Sequence, residues 1–187
     1  MVKKNTCVFI SGSGSNLKYL IKNSRNENFP IKIKLVISDN KNAKGLFYAK
    51  INSIPYLVIN TKKRSFENLI LKELKKCKIT FICLAGYMKI ISKKFLQSYR
   101  KIIINIHPSL LPKFKGLNIF KRVLKNKEKK SGCTVHFVNE KLDGGTKIIQ
   151  KTFFINKNDN KEILKIKTQK LEYRAFSEAI IKIFRYS

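Results

Sequence analysis

The chain has 187 residues, 43% of them hydrophobic, which suits one globular domain over residues 1–187 with a sizeable core. It has no apolar run of about 18 residues, so no membrane span is expected, and its short apolar start is typical of a first strand and not of a secretory signal. The four cysteines form no Cys-x-x-Cys pair, which predicts reduced thiols, a cytoplasmic location and no metal site.

The formal net charge of +30 would suit nucleic-acid binding. Few of the 41 basic residues are arginine, however, and arginine is the side chain that phosphate and base recognition favours. The lysines are also spread along the chain instead of forming one stripe. Codon usage in an A/T-rich genome, which favours Lys, Ile and Asn, is the simpler explanation, and no nucleic-acid partner is expected.

The first predicted strand, residues 6–10, leads into a glycine-rich turn and then a helix. The turn and the start of the helix comprise Gly12, Ser13, Gly14, Ser15, Asn16 and Leu17. Free N–H groups and the helix dipole attract anions, so this segment is predicted to bind a phosphate; the alternative is an ordinary helix start. It matches neither a dinucleotide-binding fingerprint, because Leu17 replaces the third glycine, nor a P-loop.

Strands and helices then alternate along the chain. Further strands are predicted at residues 31–37, 54–59, 79–85, 102–107, 132–138 and 148–155, and helices at 43–50, 66–74, 93–99, up to about 125, and from about 160. The apolar stripe of the last helix is predicted to include Ile163, Ile166, Ala175, Ile180, Ile183 and Phe184. This alternation predicts an α/β fold, a single Rossmann-like domain with a mostly parallel central sheet flanked by helices. Ligands bind beyond the carboxyl ends of such strands.

Asn105 and His107 lie two positions apart at the end of a β-branched strand and therefore on the same face. Pro108 removes a backbone donor and ends the strand there. Asp143, in an Asp-Gly-Gly turn, supplies a carboxylate that would favour a protonated imidazole. A protonated His beside an Asn amide offers two donors to the oxyanion of a carbonyl under attack. The alternatives are a core histidine with satisfied hydrogen bonds and an ordinary turn aspartate.

The sequence offers no nucleophile of its own. It contains neither a Gly-x-Ser-x-Gly elbow nor a Cys-His pairing signal. The nucleophile is therefore expected to arrive on a substrate, for instance as an amine. Such a reaction would be a direct acyl transfer between two bound ligands.

Five motifs, in order over almost the whole chain, resemble the phosphoribosylglycinamide formyltransferase family. They are Ser-Gly-Ser-Gly-Ser-Asn-Leu at 11–17, Leu-Ala-Gly-Tyr-Met at 84–88, Asn-Ile-His-Pro-Ser-Leu-Leu-Pro at 105–112, Gly-Cys-Thr-Val-His-Phe-Val at 132–138, and Leu-Asp-Gly-Gly at 142–145. The resemblance implies transfer of a formyl group from 10-formyltetrahydrofolate to the amine of glycinamide ribonucleotide, the third step of de novo purine synthesis, without a metal. It also implies a cytoplasmic enzyme that acts on small molecules as a monomer or homodimer, with no membrane partner.

The resemblance assigns roles residue by residue. Asn105 and His107 would stabilise the tetrahedral oxyanion, with His107 as proton donor and Asp143 raising its pKa. Residues 12–17 would hold the ribonucleotide phosphate, Glu172 would contact the glycinamide, and His136 would support the site without contacting the ligands. The folate-binding residues would be Lys63, Arg64, Met88, Lys89, Ile90, Ile91, Asn139, Glu140, Lys141, Leu142 and Asp143.

The chain departs from the family pattern at three places. Lys89 and Lys63 stand where members usually carry arginine, and lysine keeps the charge but loses the two-pronged hydrogen bonding of a guanidinium. Residues 115–118 read Lys-Gly-Leu-Asn where many bacterial members have Pro-Gly-x-His, although the version found here also occurs in the family. The chain also ends soon after its last helix, so a C-terminal extension is expected to be missing.

Two alternative functions remain at this stage. A methionyl-tRNA formyltransferase has a similar Asn…His-Pro-Ser-Leu-Leu-Pro core and would suit the basic charge, but such an enzyme carries a further C-terminal domain. A basic RNA-binding protein with a decayed active site is the other alternative. The joint presence of Asn105, His107 and Asp143 argues against decay.

Overall fold

A computed structural model describes residues 2–62 and 65–185 of the chain. The strands are β1 (Lys4–Ile10), β2 (Ile31–Ser38), β3 (Tyr56–Val58), β4 (Phe81–Leu84), β5 (Ile102–His107), β6 (Lys130–Phe137) and β7 (Lys147–Phe154). The helices are α1 (Ser15–Ser24), α2 (Leu46–Ile51), α3 (Phe66–Lys76), α4 (Lys93–Tyr99), α5 (Ile119–Lys125) and α6 (Lys161–Phe184). Within these described ranges, no helix is both long enough and apolar enough to cross a membrane.

The seven strands form one sheet in the order β3-β2-β1-β4-β5-β6-β7. Strands β1 to β5 pair in parallel, whereas β6 is antiparallel to β5, and β7 is antiparallel to β6. The predicted α/β class with a mostly parallel sheet is therefore confirmed. The strand order reverses between β1 and β4, and this switch point opens a crevice between the loops that follow them.

Both faces of the sheet are buried beneath helices. Because side chains alternate along a strand, Val8 and Ile10 of β1 face one core cluster, which includes residues of α1 and α6. Cys7 and Phe9 face the opposite cluster, which includes residues of α3 and α4. The five parallel strands are thus held rigidly from both sides, which fixes the positions of the loops at their carboxyl ends.

Helix α6 packs on the sheet with a face that the apolar pattern predicts only in part. Ala175, Ile180 and Phe184 are buried as expected, but Ile166 is 54% exposed. The buried face instead includes the polar residues Thr168 and Glu172. Because the buried face carries polar residues, the positions of the apolar residues alone do not identify it. One of these polar residues, Glu172, reaches the cavity described below.

The start of α6 is fixed by a side-chain cap. The Asn160 Oδ1 atom accepts a hydrogen bond from the Ile163 N–H at 2.9 Å. We expect Asn160→Ala to lower the free energy of unfolding by about 1 kcal/mol, because an N–H of the first turn would lose its partner. Urea denaturation would measure this loss. The exposed neighbour Asn158 provides the control, and an equal loss in Asn158→Ala would contradict a capping role.

Candidate active site

A cavity of about 720 Å³ lies beyond the carboxyl ends of β1, β4 and β5. Nearly all the predicted site residues that the structure describes line it: Gly12, Ser13, Gly14, Ser15, Asn16, Met88, Lys89, Ile90, Ile91, Asn105, His107, His136, Asn139, Glu140, Lys141, Leu142, Asp143 and Glu172. Leu17 does not line the cavity, because its side chain is buried in the core. Lys63 and Arg64 lie outside the described residues. The sequence motifs thus converge on one cavity.

The glycine-rich turn presents free backbone donors to this cavity. Gly14 precedes α1 with a φ of 71°, and its carbonyl oxygen accepts the Lys18 N–H at 2.9 Å, as in the first bond of a helix. The N–H groups of residues 15–17, which directly precede Lys18, therefore have no carbonyl of the helix to bond. Leu17 could thus serve an anion through its backbone alone. Such a helix start suits a phosphate.

Contacts with two neighbouring segments fix the turn in place. The Gly45 N–H donates to the Gly12 carbonyl oxygen at 3.0 Å. A Cβ atom on Gly14 would overlap the Gly45 backbone, so the two glycines allow a close approach of two chain segments. On the opposite side, the Ser11 hydroxyl accepts the Met88 N–H at 2.8 Å, which ties this turn to the loop after β4.

The Asp143 carboxylate lies at the centre of a cluster of polar side chains in the cavity. Its Oδ2 atom accepts the Gly116 N–H at 2.8 Å and lies 3.3 Å from His107 Nδ1. Its Oδ1 atom lies 3.5 Å from Asn105 Nδ2 and 3.7 Å from His136 Nε2. One carboxylate therefore contacts Asn105 and both histidines of the chain. The predicted grouping of Asn105, His107 and Asp143 is present in the fold, and His136 joins it.

His107 has hydrogen-bond acceptors at both ring nitrogens. The Phe114 carbonyl oxygen lies 2.9 Å from Nε2, and the Asp143 carboxylate lies beside Nδ1. Burial lowers the pKa of His107 below its ordinary value of 6.5, and this outweighs the Phe114 carbonyl and the Asp143 carboxylate, which both raise it. The neutral ring can donate from only one of its nitrogens.

Burial therefore opposes the expected protonation of His107 in the ligand-free site. Asp143 acts on the pKa of His107 in the predicted direction, but burial is the larger effect. Burial would also raise the pKa of Asp143, yet the two neighbouring histidine side chains and the hydrogen bond from the Gly116 N–H together lower it below its ordinary value of 3.8. These two directions favour a neutral imidazole beside an ionised carboxylate.

The lowered pKa of His107 makes folding sensitive to mild acid. The unfolded chain takes up a proton near pH 6.5, whereas His107 of the folded chain takes it up only at a lower pH, so the free energy of unfolding decreases as the pH falls through 6.5. We expect urea midpoints to fall between about pH 7.5 and 5.5, and to fall less in His107→Asn. Asp143 stays ionised over this range, and His136 is present in both proteins. Equal losses in the two proteins would contradict this assignment.

Glu172 reaches the cavity from α6 and pairs with Asn16 of α1. The Asn16 Nδ2 atom donates to Glu172 Oε2 at 2.8 Å, and both side chains are buried. Burial raises the pKa of Glu172, while the hydrogen bond from Asn16 opposes this rise. One of the two amide hydrogens of the Asn16 side chain is therefore used by Glu172. Asn16 can serve a phosphate through its backbone N–H, whereas its side chain belongs to the Glu172 part of the site.

The opposite end of the cavity has an apolar mouth. Met88, Ile90, Leu117 and Leu142 are large hydrophobic side chains that line the cavity and are each more than half exposed. Exposed apolar side chains grouped at a cavity mouth mark a binding surface. The polar segment 139–141 lies beside them. This end of the site suits a ligand with an apolar body and polar edges.

Several site residues carry weak signals in the sequence. Gln169 and Lys165 line the cavity one and two helical turns, respectively, before Glu172, and this helical spacing could have identified them. The backbone N–H of Gly116 and the carbonyl of Phe114 also contact the central cluster. Backbone groups leave no signature in residue type, so only the fold reveals them.

The described residues contain no group of three or more His, Cys, Asp or Glu side chains arranged to hold a metal ion. The side chains that meet in the cavity are instead an amide, two imidazoles and a carboxylate, next to a helix start suited to an anion. An α/β sheet with this site at its switch point is suited to hold an anionic group and to donate hydrogen bonds to a carbonyl oxygen.

Comparison with known proteins agrees with this chemistry. The profile of the formyl transferase family matches residues 4–180. Phosphoribosylglycinamide formyltransferase of Haemophilus influenzae is 40% identical over 185 residues, which cover 97% of this chain and 87% of that protein. The crystal structure of phosphoribosylglycinamide formyltransferase from Brucella melitensis is 38% identical, has a TM-score of 0.91 and aligns over 99% of this chain and 97% of that one.

The chain belongs to the formyl transferase family of enzymes. Longer relatives exist as well. The trifunctional purine biosynthetic protein adenosine-3 of Drosophila melanogaster is 39% identical over 184 residues, which cover 95% of this chain. The chain spans only 14% of the length of that protein.

Proposed function

We propose that this chain transfers a formyl group from 10-formyltetrahydrofolate to the amine of glycinamide ribonucleotide, N1-(5-phospho-D-ribosyl)glycinamide, in purine biosynthesis. The observation that carries the proposal is one cavity that joins an anion-binding helix start, a buried amide–imidazole–carboxylate cluster and an apolar mouth. The high-coverage relatives named above favour the same reaction. The proposal includes a cytoplasmic enzyme that acts as a monomer or homodimer and uses no metal.

The ribonucleotide would occupy the side of the cavity near α1. Its phosphate would accept hydrogen bonds from the backbone of residues 12–17, where the helix dipole also favours negative charge. Lys165 lines the same cavity and adds a positive charge. Glu172, oriented by Asn16, would accept hydrogen bonds from polar groups of the glycinamide part.

The folate would occupy the apolar mouth. The exposed side chains of Met88, Ile90 and Leu142 offer contact to a flat pterin ring, and segment 139–143 offers polar groups to its edges. Lys89 and Lys141 supply positive charge for the glutamate tail. Because lysine is a point charge, the grip on the tail would be looser than that of an arginine.

The chemistry is direct attack of the substrate amine on the formyl carbon. A carbon–nitrogen bond forms, the carbonyl oxygen becomes an oxyanion, and collapse of the tetrahedral adduct breaks the bond to N10 of the folate. Asn105 and His107 would donate hydrogen bonds to the oxyanion. Asp143 would help remove the proton that the attacking nitrogen loses, and N10 takes up a proton as it leaves.

The environment of His107 suits a proton donor that is needed only while the oxyanion forms. Burial disfavours the charged ring in the ligand-free site, but an oxyanion developing beside it would raise the pKa of His107 during the reaction. The protonated form is thereby favoured most in the transition state, which is where stabilisation accelerates the reaction. Donation from Nε2 requires that its N–H be shared with, or released from, the Phe114 carbonyl oxygen.

The test is a formyl-transfer assay with purified protein, glycinamide ribonucleotide and 10-formyltetrahydrofolate. We expect turnover by the wild type and a loss of about a hundredfold or more in His107→Ala, as for removal of an oxyanion donor. No turnover by folded wild-type protein would reject the proposed reaction. Methionyl-tRNA would then be assayed as acceptor, and a salt titration of RNA binding would examine the remaining alternative.

A further inference from the structure

His136 lies directly opposite Asn105 across two antiparallel strands. The register of β5 and β6 pairs Asn105 with His136, so the two side chains share a face of the sheet. His136 is only 2% exposed. Its Nε2 atom lies 3.2 Å from Asn105 Nδ2, and its Nδ1 atom lies 2.8 Å from the Phe137 carbonyl oxygen. Both ring nitrogens therefore have a partner within hydrogen-bond distance, while Asp143 Oδ1 lies farther from Nε2, at 3.7 Å.

These two contacts determine the tautomer of His136. A carbonyl oxygen can only accept a hydrogen bond, so the contact with Phe137 requires the proton on Nδ1. In the neutral ring Nε2 is then an acceptor, and an acceptor at 3.2 Å can be satisfied only by the NH₂ end of the Asn105 amide. The reversed amide would turn Oδ1 toward the lone pair of Nε2 and toward the Asp143 carboxylate.

The Phe137 carbonyl, which accepts from His136 Nδ1, packs against the Gly144–Gly145 turn. A Cβ atom on Gly145 would overlap the Phe137 carbonyl oxygen and would lie 3.5 Å from His136 Nδ1. The Phe137 N–H also donates to the Thr146 carbonyl oxygen at 3.0 Å. The turn that carries Asp143 therefore packs against the carbonyl that sets the tautomer of His136.

The amide nitrogen of Asn105 has two hydrogens, and His136 uses one. The other is directed toward Asp143 Oδ1, but the 3.5 Å separation is at the limit of a hydrogen bond. That hydrogen is free to bond a closer oxygen in the cavity. We propose that His136 is a positioning residue that keeps the NH₂ end of Asn105 in the site, where it can donate to the oxyanion of the formyl group. The proposal rests on the proposed function.

The tautomer of His136 can be measured in the wild type without any substitution. The chain has two histidines, so ¹⁵N-histidine NMR spectra are readily assigned with the help of His107→Ala. We expect the neutral form of the His136 ring to carry its proton on Nδ1. A proton on Nε2 would overturn the proposal, because Nε2 could then no longer accept from Asn105.

Steady-state kinetics test the positioning role. We expect His136→Phe to lower kcat about tenfold or more with both KM values changed less than about twofold. In the Asn105→Ala background the same substitution should lower kcat by less than about twofold, because its effect passes through Asn105. Equal losses in both backgrounds would show a general structural effect and overturn the proposal.

His136→Gln is the conservative variant, since its side-chain oxygen can occupy the place of Nε2 and accept from Asn105. We expect it to recover most of the lost kcat; activity no better than that of His136→Phe would count against the proposal. If His136→Phe does not fold, the Gln variant and the wild-type tautomer decide the question. Inactivity of the wild type would reject the proposed reaction, whereas the tautomer would still decide the contact with Asn105.

Discussion

Asp143→Asn is expected to lower kcat by about a thousandfold or more, because the carboxylate orients an imidazole and removes a proton during the reaction. Asp143 contacts His107 at 3.3 Å and accepts the Gly116 N–H at 2.8 Å. The amide keeps the size of the side chain but removes its charge. The Asp143 backbone has a φ of 46°, which asparagine tolerates well, so the turn should survive. Single-turnover measurement of formyl transfer would report the loss.

A second carboxylate provides the control for this experiment. Asp159 also has a lowered pKa, which here results from its hydrogen bond with Lys167, but it precedes α6 and does not line the cavity. Asp159→Asn should therefore keep kcat within about twofold of the wild type. If Asp143→Asn retained more than about a tenth of the wild-type kcat, the carboxylate could not have the proposed role. Circular dichroism and thermal unfolding would confirm that both variants fold.

The location of the site can be predicted from the sequence because the sequence predicts where the strands end. The apolar run before Asn105 predicts a buried strand, and Pro108 predicts where it ends. Parallel strands place their carboxyl ends at one edge, so the turn at 12–17 and the loop after β4 necessarily meet the end of β5. The convergence of these segments on one cavity follows from alternation of strands and helices alone.

Contacts between side chains that are far apart in the sequence could not be predicted in this way. His136 faces Asn105 because β6 turns antiparallel at the edge of a parallel sheet, and nothing in its local sequence sets that register. The charge state of His107 depends on how far the assembled fold excludes water from the ring, and this outweighs the carboxylate that the motif supplies. The burial of Glu172 could not be predicted either, because a charged residue in an amphipathic helix is expected on the exposed face.

Gly14→Ala is expected to damage stability and ligand binding together. The residue has a φ of 71°, which an alanine adopts only with strain, and the added Cβ would overlap the Gly45 backbone. Strain and overpacking together should lower the free energy of unfolding by about 2–4 kcal/mol. The turn can relieve the overlap only by moving away from Gly45, which would displace the N–H groups at the start of α1. The KM for glycinamide ribonucleotide should then rise by about tenfold or more.

Gly12 is the matched control, because it lies two residues earlier in the same turn. A Cβ atom there would meet no heavy atom within 4 Å. Gly12→Ala should therefore unfold at a urea concentration close to that of the wild type, whether or not its methyl group hinders a phosphate in the cavity. A stability loss of the same size in both variants would mean that the turn is sensitive to any added side chain. A stable Gly14→Ala protein with unchanged KM would contradict both the close approach of Gly14 to Gly45 and the role of this turn in holding the phosphate.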